Sequence, residues 1–328
     1  MTKKQKKYIK ITISIIIILF IVLNAGIIVQ SYSLTHFDEN AKPIDPEYEP
    51  TFKETIGIAL FGLDMPKPKA RQYPNRHYET LYISAGENRK LEAWSIHTDS
   101  IKYGTVLCFH GYMDEKSSML DRAYAFLDMG YDVLLIDFMG AGGSYGNQTT
   151  IGFLEAENVK AVHDYTVSAL KEDKIIMAGF SMGAAAIMKA QADYDLLTQG
   201  LILEAPYSSF KNAVGNRIDD LSIPKWPAAD LFTFWTGVIN GFNAFKANPQ
   251  DYAKKIYVPT LLMCGGKDQN IPTEETFHIF DQLAGSKKKL EIFPESTHQS
   301  YLIKYPKEWY AVTYKFLNEL EQLDIYNE

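Results

Sequence analysis

Ser181 stands at the centre of Gly179-Phe180-Ser181-Met182-Gly183, after the apolar run Lys174-Ile175-Ile176-Met177-Ala178 and before Ala184-Ala185-Ala186-Ile187-Met188. A buried strand passing at once into a helix, with serine at the junction, is the setting in which a hydroxyl is exposed as a nucleophile. Glycine at both ends removes side chains that would strike the strand and the helix. Such a hydroxyl needs a base to take its proton, and the base needs an acid to hold one tautomer. Two histidines lie downstream. His278 falls in an amphipathic helical stretch, Thr273–Gln282, and is expected at the surface or in packing. His298 lies in the loop Pro294-Glu295-Ser296-Thr297-His298 after the apolar strand Leu290–Phe293, which can carry an imidazole to the same sheet edge as Ser181. It is the expected base, and activity should fall at acid pH as it is protonated.

For the acid, Thr260-Leu261-Leu262-Met263-Cys264 ends in Gly265-Gly266-Lys267-Asp268, a buried strand and its exit turn. Asp268 is the favoured residue. Glu204, closing the run Leu201-Ile202-Leu203, is the rival. Asp137, closing Val133-Leu134-Leu135-Ile136, precedes the serine and fits a structural role better. Charge developing on a carbonyl oxygen would call for two backbone N–H donors. Met182 should supply one, and Tyr112, in His110-Gly111-Tyr112 after the strand Val106–Phe109, the other. His110 is expected to be a buried, hydrogen-bonded strand-end residue.

In this order, His110-Gly111-Tyr112, the loop Asp137 to Ser144, the serine pentad, Gly266-Lys267-Asp268 and Thr297-His298 resemble the α/β-hydrolase superfamily from about Tyr78 to the C-terminus. The resemblance is greatest to membrane-anchored, single-domain hydrolases grouped with serine aminopeptidase-like and lysophospholipase-like proteins. It implies an α/β fold, Ser181, Asp268 and His298 as a triad, and Tyr112 and Met182 as oxyanion donors. It also places Cys108 and Cys264 on strands that are not neighbours, so no disulfide is expected. One departure is Met139, which stands where an arginine is common in that loop.

The elements agree with this order. Tyr78–Ser84 and Leu91–His97 read as an antiparallel hairpin. Strands near 105–109, 133–136, 175–179, 201–204, 260–264 and 290–293 then alternate with helices near 117–129, 155–172, 182–192, 273–284 and 305–323. Alternation with nearly all-apolar strands argues for a mostly parallel central sheet covered by helices on both faces. An insertion at about 207–257 carries Tyr207, Phe210, Trp226, Phe232, Phe234, Trp235, Phe242 and Phe245. It reads either as a short helical cap giving an apolar pocket above Ser181 or as an insertion burying its aromatics in its own core. Gly140-Ala141-Gly142-Gly143-Ser144-Tyr145 is a poor dinucleotide fingerprint, because no helix opens on it. No cofactor or metal is expected, since no His/Cys/Asp cluster has ligand spacing.

The N-terminus is the compositional outlier. Of the first thirty residues, five are lysines within Met1–Lys10 and none is acidic; Ile11–Val29 is then uncharged. As a helix it reaches about 28 Å, close to a bilayer core. The lysines, with Asp38, Glu39, Asp45, Glu47 and Glu49 beyond, orient a single-pass anchor in the cell membrane, N-terminus in the cytoplasm and the remainder outside. A cleaved signal peptide is the competing interpretation, disfavoured by the length of the run and the lack of a clean cleavage site. Without those five lysines the formal charge of −7 becomes −12, which argues against nucleic acid or an anionic membrane surface as a partner of the remainder. The expected organisation is 1–30 tip and transmembrane anchor, 31–75 a proline-rich connector, and 76–328 a hydrolase domain. Within the connector, Phe52, Ile56, Leu60 and Leu63 suggest an amphipathic helix packed on that domain. The expected activity is cleavage of an ester, thioester or amide in a small-molecule or acyl substrate, esterase or lipase before peptidase. Acyl transfer and a non-catalytic binding protein on the same fold are the alternatives.

Overall fold

The computed structural model describes residues 1–43, 48, 50–220 and 224–325. Asp45, Pro46, Glu47 and Glu49 of the predicted connector lie outside the described residues. Helix α1 (Lys3–Thr35) leads to a short strand β1 (Phe37–Asp38), α2 (Phe52–Phe61) and β2 (Met65–Pro66). The hairpin β3 (Glu79–Ser84) and β4 (Lys90–Ile96) follows. The alternating region runs β5 (Gly104–Phe109), α3 (Leu120–Asp128), β6 (Tyr131–Ile136), α4 (Glu155–Ser168), β7 (Ile175–Phe180), α5 (Met182–Tyr194) and β8 (Gly200–Glu204). The insertion holds α6 (Phe210–Asp220), α7 (Lys225–Asn240) and α8 (Pro249–Tyr252). The chain closes with β9 (Thr260–Gly265), α9 (Thr273–Gln282), β10 (Lys288–Phe293), α10 (Tyr301–Lys304) and α11 (Pro306–Ile325).

Among the described residues, eight strands form one sheet in the order β10-β9-β8-β7-β5-β6-β4-β3. β4 runs antiparallel to β3 and β6; the pairs from β6 to β10 are parallel. Side chains alternate across the strands as their pleat requires. Leu107 and Phe109 of β5 face the layer of α4, α5 and α9, while Val106 and Cys108 face Phe126 of α3 and Trp309 and Phe316 of α11. Both faces are covered, which is why β5 to β9 read as unbroken apolar runs. The edge strand β10 carries Lys288, Lys289 and Glu291, charges that discourage a further strand from pairing there. Cys108 and Cys264 are buried free thiols on β5 and β9, with β7 and β8 between them, and burial pushes the Cys264 thiol up to about 11.

Two expectations about the N-terminal third need correction. The connector does not begin at Ser31. Ser31, Ser33 and Thr35 belong to the last turns of α1 and are buried. The helix predicted around Phe52 forms, but it packs on α1 rather than on the domain built around the eight-stranded sheet. Gln30 Nε2 donates to the Ile58 carbonyl at 2.5 Å, and Leu63 N–H donates to Ser33 Oγ at 3.0 Å. Capping by Thr51 and Glu54 starts α2, yet none of its residues is buried. Helix α1 is long and apolar enough to cross a membrane by length and composition, and residues 3–23 are exposed along their length.

The insertion divides its aromatics. Tyr207 and Phe210 are buried with Ala185 of α5, Ala244 and Ala247, and Phe242 stacks on Phe153 at 4.6 Å. Trp226, Phe234 and Phe245 remain exposed. Packing within the insertion and against Ala185, Phe153 and Ile271 of the domain body accounts for the first group but not for the second. Helix α7 turns Ala229, Thr233, Thr236, Gly237 and Asn240 inward.

Candidate active site

Three strand ends build the site. β7 delivers Ser181, β9 delivers Asp268 through a two-glycine turn, and β10 delivers His298 through a five-residue loop. Because the three strands are parallel, their C-terminal ends lie on one rim. Ser181 adopts φ 51°, ψ −111° between strand and helix, a left-handed backbone costly for a residue with a Cβ. Its N–H donates to the Glu204 carbonyl at 2.7 Å, which holds the turn against β8. Gly183 makes the turn possible: a Cβ there would lie 2.2 Å from the Phe109 carbonyl oxygen.

Ser181 Oγ lies 2.9 Å from His298 Nε2, and His298 Nδ1 lies 2.7 Å from Asp268 Oδ2. The Asp268 carboxylate, 1 % exposed, accepts the Ile271 N–H on its other oxygen at 2.9 Å. A carboxylate can only accept, so His298 donates from Nδ1–H and leaves Nε2 to accept the serine proton. The Phe180 ring lies 4.9 Å from the imidazole, and the Arg122 guanidinium sits 5.3 Å from the centroid of the same ring. The imidazole is therefore fixed by a hydrogen bond at one edge and by a ring beside it.

The rival residues have other engagements. Glu204 accepts Arg122 Nη2 at 2.6 Å and Trp309 Nε1 at 2.9 Å. Burial alone would pull the Arg122 guanidinium down, but the Glu204 and Asp121 carboxylates hold it above its ordinary range. Asp137 accepts the Lys116 and Gly143 N–H groups at 2.8 and 3.0 Å and pairs with the buried Lys116 ammonium at 2.5 Å. The glycines after it let the backbone close around that carboxylate. Gly142 has φ +47°, and a Cβ on it would meet Asp137 Oδ2 at 1.8 Å. His110 donates from Nδ1 to the Gly111 carbonyl at 2.8 Å and accepts the Phe138 N–H at Nε2 at 3.1 Å, so both ring nitrogens are used. His278 is exposed.

Met182 opens α5, where helix geometry supplies no acceptor for its N–H. Among the described residues the Tyr112 N–H has no backbone acceptor either. Tyr112 bonds the last turn of α1 directly and Met182 reaches it only through Thr149, a connection absent from the sequence expectations. The Tyr112 hydroxyl donates to the Leu34 carbonyl at 2.6 Å, and burial pushes that hydroxyl up from its ordinary range, so it stays a donor. The Thr149 N–H donates to the Thr35 carbonyl at 2.9 Å, while Thr149 Oγ1 lies 3.5 Å from Met182 Sδ and donates to Glu155 at 2.7 Å. Arg122 and Thr149 were not foreseen. A carboxylate ending an apolar strand demands a buried cation, which is the signal that points to Arg122.

Two outcomes follow here. Glu204→Ala should cost about 3–5 kcal/mol of stability, because it strands a buried guanidinium, yet leave turnover of the surviving folded enzyme within about tenfold. Chemical unfolding beside an esterase assay checks this; normal stability with abolished turnover would make Glu204 the acid. Tyr112→Phe should cost about 1 kcal/mol in the same unfolding assay, the net worth of one buried hydrogen bond. An unchanged midpoint would mean that the Leu34 contact carries no weight.

Residues 101–237 match the family model described as serine aminopeptidase, S33. The Bacillus subtilis protein YqkD is 26% identical over 223 residues, covering 66% of this chain and 72% of its own length. The Saccharomyces cerevisiae membrane protein YNL320W is 25% identical, covering 72% of this chain and 78% of its own. The Pyrococcus furiosus esterase Pf2001 superimposes with a TM-score of 0.64 at 23% identity, over 77% of this chain and 98% of that one. Given the sheet order, the serine at the strand-to-helix junction and these similarities, the chain has the α/β-hydrolase fold.

Proposed function

We propose that the chain is a membrane-anchored serine hydrolase that cleaves esters through an acyl-enzyme, with its catalytic domain outside the cytoplasm. The observation that carries this reading is the continuous path from Ser181 Oγ through His298 to Asp268, at 2.9 and 2.7 Å. Ser181 attacks the substrate carbonyl as His298 Nε2 takes its proton. The oxygen of the tetrahedral intermediate is held by the Met182 and Tyr112 N–H groups. His298 then protonates the leaving alkoxide, and Asp268 stabilises the charged imidazole in between. Water, deprotonated by the same nitrogen, releases the acid and restores the serine. The anchoring half of the proposal rests on α1 and its lysine-rich start.

An ester is preferred to an aminoacyl peptide because an aminopeptidase needs free carboxylates to grip the substrate amine. Glu204 is engaged by Arg122 and Trp309, and Asp230 by Lys211 at 2.6 Å. The deciding experiment pairs a fluorophosphonate probe with a substrate panel. Wild type should be labelled and Ser181→Ala should not, and p-nitrophenyl acyl esters should turn over faster than aminoacyl anilides. Equal labelling of both proteins removes Ser181 from the mechanism, and faster anilide turnover makes the chain a peptidase.

A further inference from the structure

The apolar run of α1 ends at Val29, but the contacts of α1 with the rest of the chain begin five residues earlier. Trp235 Nε1 of α7 donates to Asn24 Oδ1 at 2.8 Å, and Asn24 Nδ2 in turn donates to the Phe20 carbonyl at 2.8 Å. The Ala59 carbonyl of α2 lies 3.7 Å from where Gly26 would carry a Cβ, and Gln30 reaches the Ile58 carbonyl. Groups that touch positions 24 and 26 stand at the depth of those positions. If residues 11–29 fill about 28 Å of hydrocarbon, α2 and the neighbouring part of α7 stand at the edge of that layer.

The surfaces they present suit such a place. On α2, Phe52 is 82% exposed and Phe61 81%, and no residue of the helix is buried. On α7, Leu231, Phe234, Trp235, Val238 and Ile239 recur at i, i+3, i+4, i+7 and i+8, a stripe opposite its buried face, and Trp226 at its start is 78% exposed. An open cleft of about 750 Å³ lies between the end of α1, β1 and the tips of α2 and α7; Ile28, Val29, Phe61, Leu63 and Ile239 form its apolar side and Asp38, Glu39 and Asp64 its polar side. Large apolar side chains grouped this way on a water-facing surface mark an interaction site, and their continuity with the α1 span identifies the occupant as lipid.

We propose that α2 and the exposed face of α7 are seated in the leaflet from which α1 emerges, so that the hydrolase domain rests on the bilayer instead of hanging from a tether. The proposal rests on α1 crossing a membrane. Trp235 then takes the interfacial position that tryptophan favours, with its ring in the apolar layer and its N–H satisfied by Asn24. Leu34, five residues past Val29, is about 8 Å beyond the hydrocarbon edge by helix rise, and the Tyr112 hydroxyl is bonded to it. The seat thereby holds the catalytic rim at a fixed height over the headgroups.

The test uses the full chain in phosphatidylcholine vesicles, with single substitutions Phe61→Cys, Phe234→Cys and, as reference, Leu197→Cys. Leu197 is 84% exposed and precedes β8, at the sheet edge opposite Ser181, and native Cys108 and Cys264 are buried. A membrane-impermeant maleimide should label position 197 quickly and positions 61 and 234 at least about tenfold more slowly. A nitroxide at 61 or 234 should collide more with oxygen than with a water-soluble nickel chelate. Labelling at 61 and 234 as fast as at 197, in protein that survives an alkaline wash with the vesicles, overturns the seat while leaving the span intact. Release of the chain by that wash overturns both.

Discussion

Ser181→Ala is expected to lower turnover of a p-nitrophenyl ester about a millionfold, and His298→Ala to lower it nearly as much. Nucleophile and base act as one device: without the imidazole the hydroxyl keeps its proton, and without the hydroxyl the imidazole has nothing to activate. The double variant should therefore lose little more than either single one. What survives, about a thousandfold over water, would come from the Met182 and Tyr112 N–H groups and from substrate binding. The fold should survive too. The Ser181 side chain caps no helix N–H, and alanine meets the same left-handed backbone strain as serine. Thermal unfolding should shift by less than about 1 kcal/mol. Pre-steady-state and steady-state assays on all three variants decide the matter. If the two losses multiply in the double variant, Ser181 and His298 work independently and the proposed mechanism fails.

What the sequence disclosed was decided by where apolar runs stop. Strands β7 and β9 are apolar almost throughout and β10 ends on Ile292-Phe293, which places the polar residues just beyond them on one rim. Residues that come from helices were harder to place. Arg122 and Lys116 lie in and just before α3 and meet Glu204 and Asp137 only because the helix packs across the sheet ends. Helix periodicity says which face is apolar, not which strand end a long cation will reach. The docking of α1 was missed for a related reason. Its residues are apolar all round, as lipid requires, and that hides the contact face. The clue was present in Asn24, Gly26, Gln30, Ser31, Ser33 and Thr35, polar or small residues on the last three turns, each of which meets another part of the chain or is buried. The insertion was ambiguous because aromatic content cannot separate a core from a lipid-facing surface, and it contains both.

Asp268→Asn should cut turnover about ten-thousandfold while leaving the fold intact. The two oxygens of Asp268 are committed differently: Oδ1 accepts the Ile271 N–H at 2.9 Å and Oδ2 accepts from His298 Nδ1 at 2.7 Å. An asparagine in this pocket has one acceptor and one donor. The Ile271 N–H is a backbone donor that cannot change, so the amide oxygen must stay there and the NH₂ group must face His298. An NH₂ group donates to Nδ1, which puts the imidazole proton on Nε2. That nitrogen is then unable to accept the Ser181 proton, although every heavy atom stays where it was. Asp268→Ala, by contrast, leaves the Ile271 N–H and the imidazole without partners and should lose stability as well as rate. Turnover measured beside unfolding midpoints separates the two effects. An asparagine variant that retains a tenth of wild-type turnover would show that the acid does not set the tautomer, and Asp268 would be reduced to a turn residue.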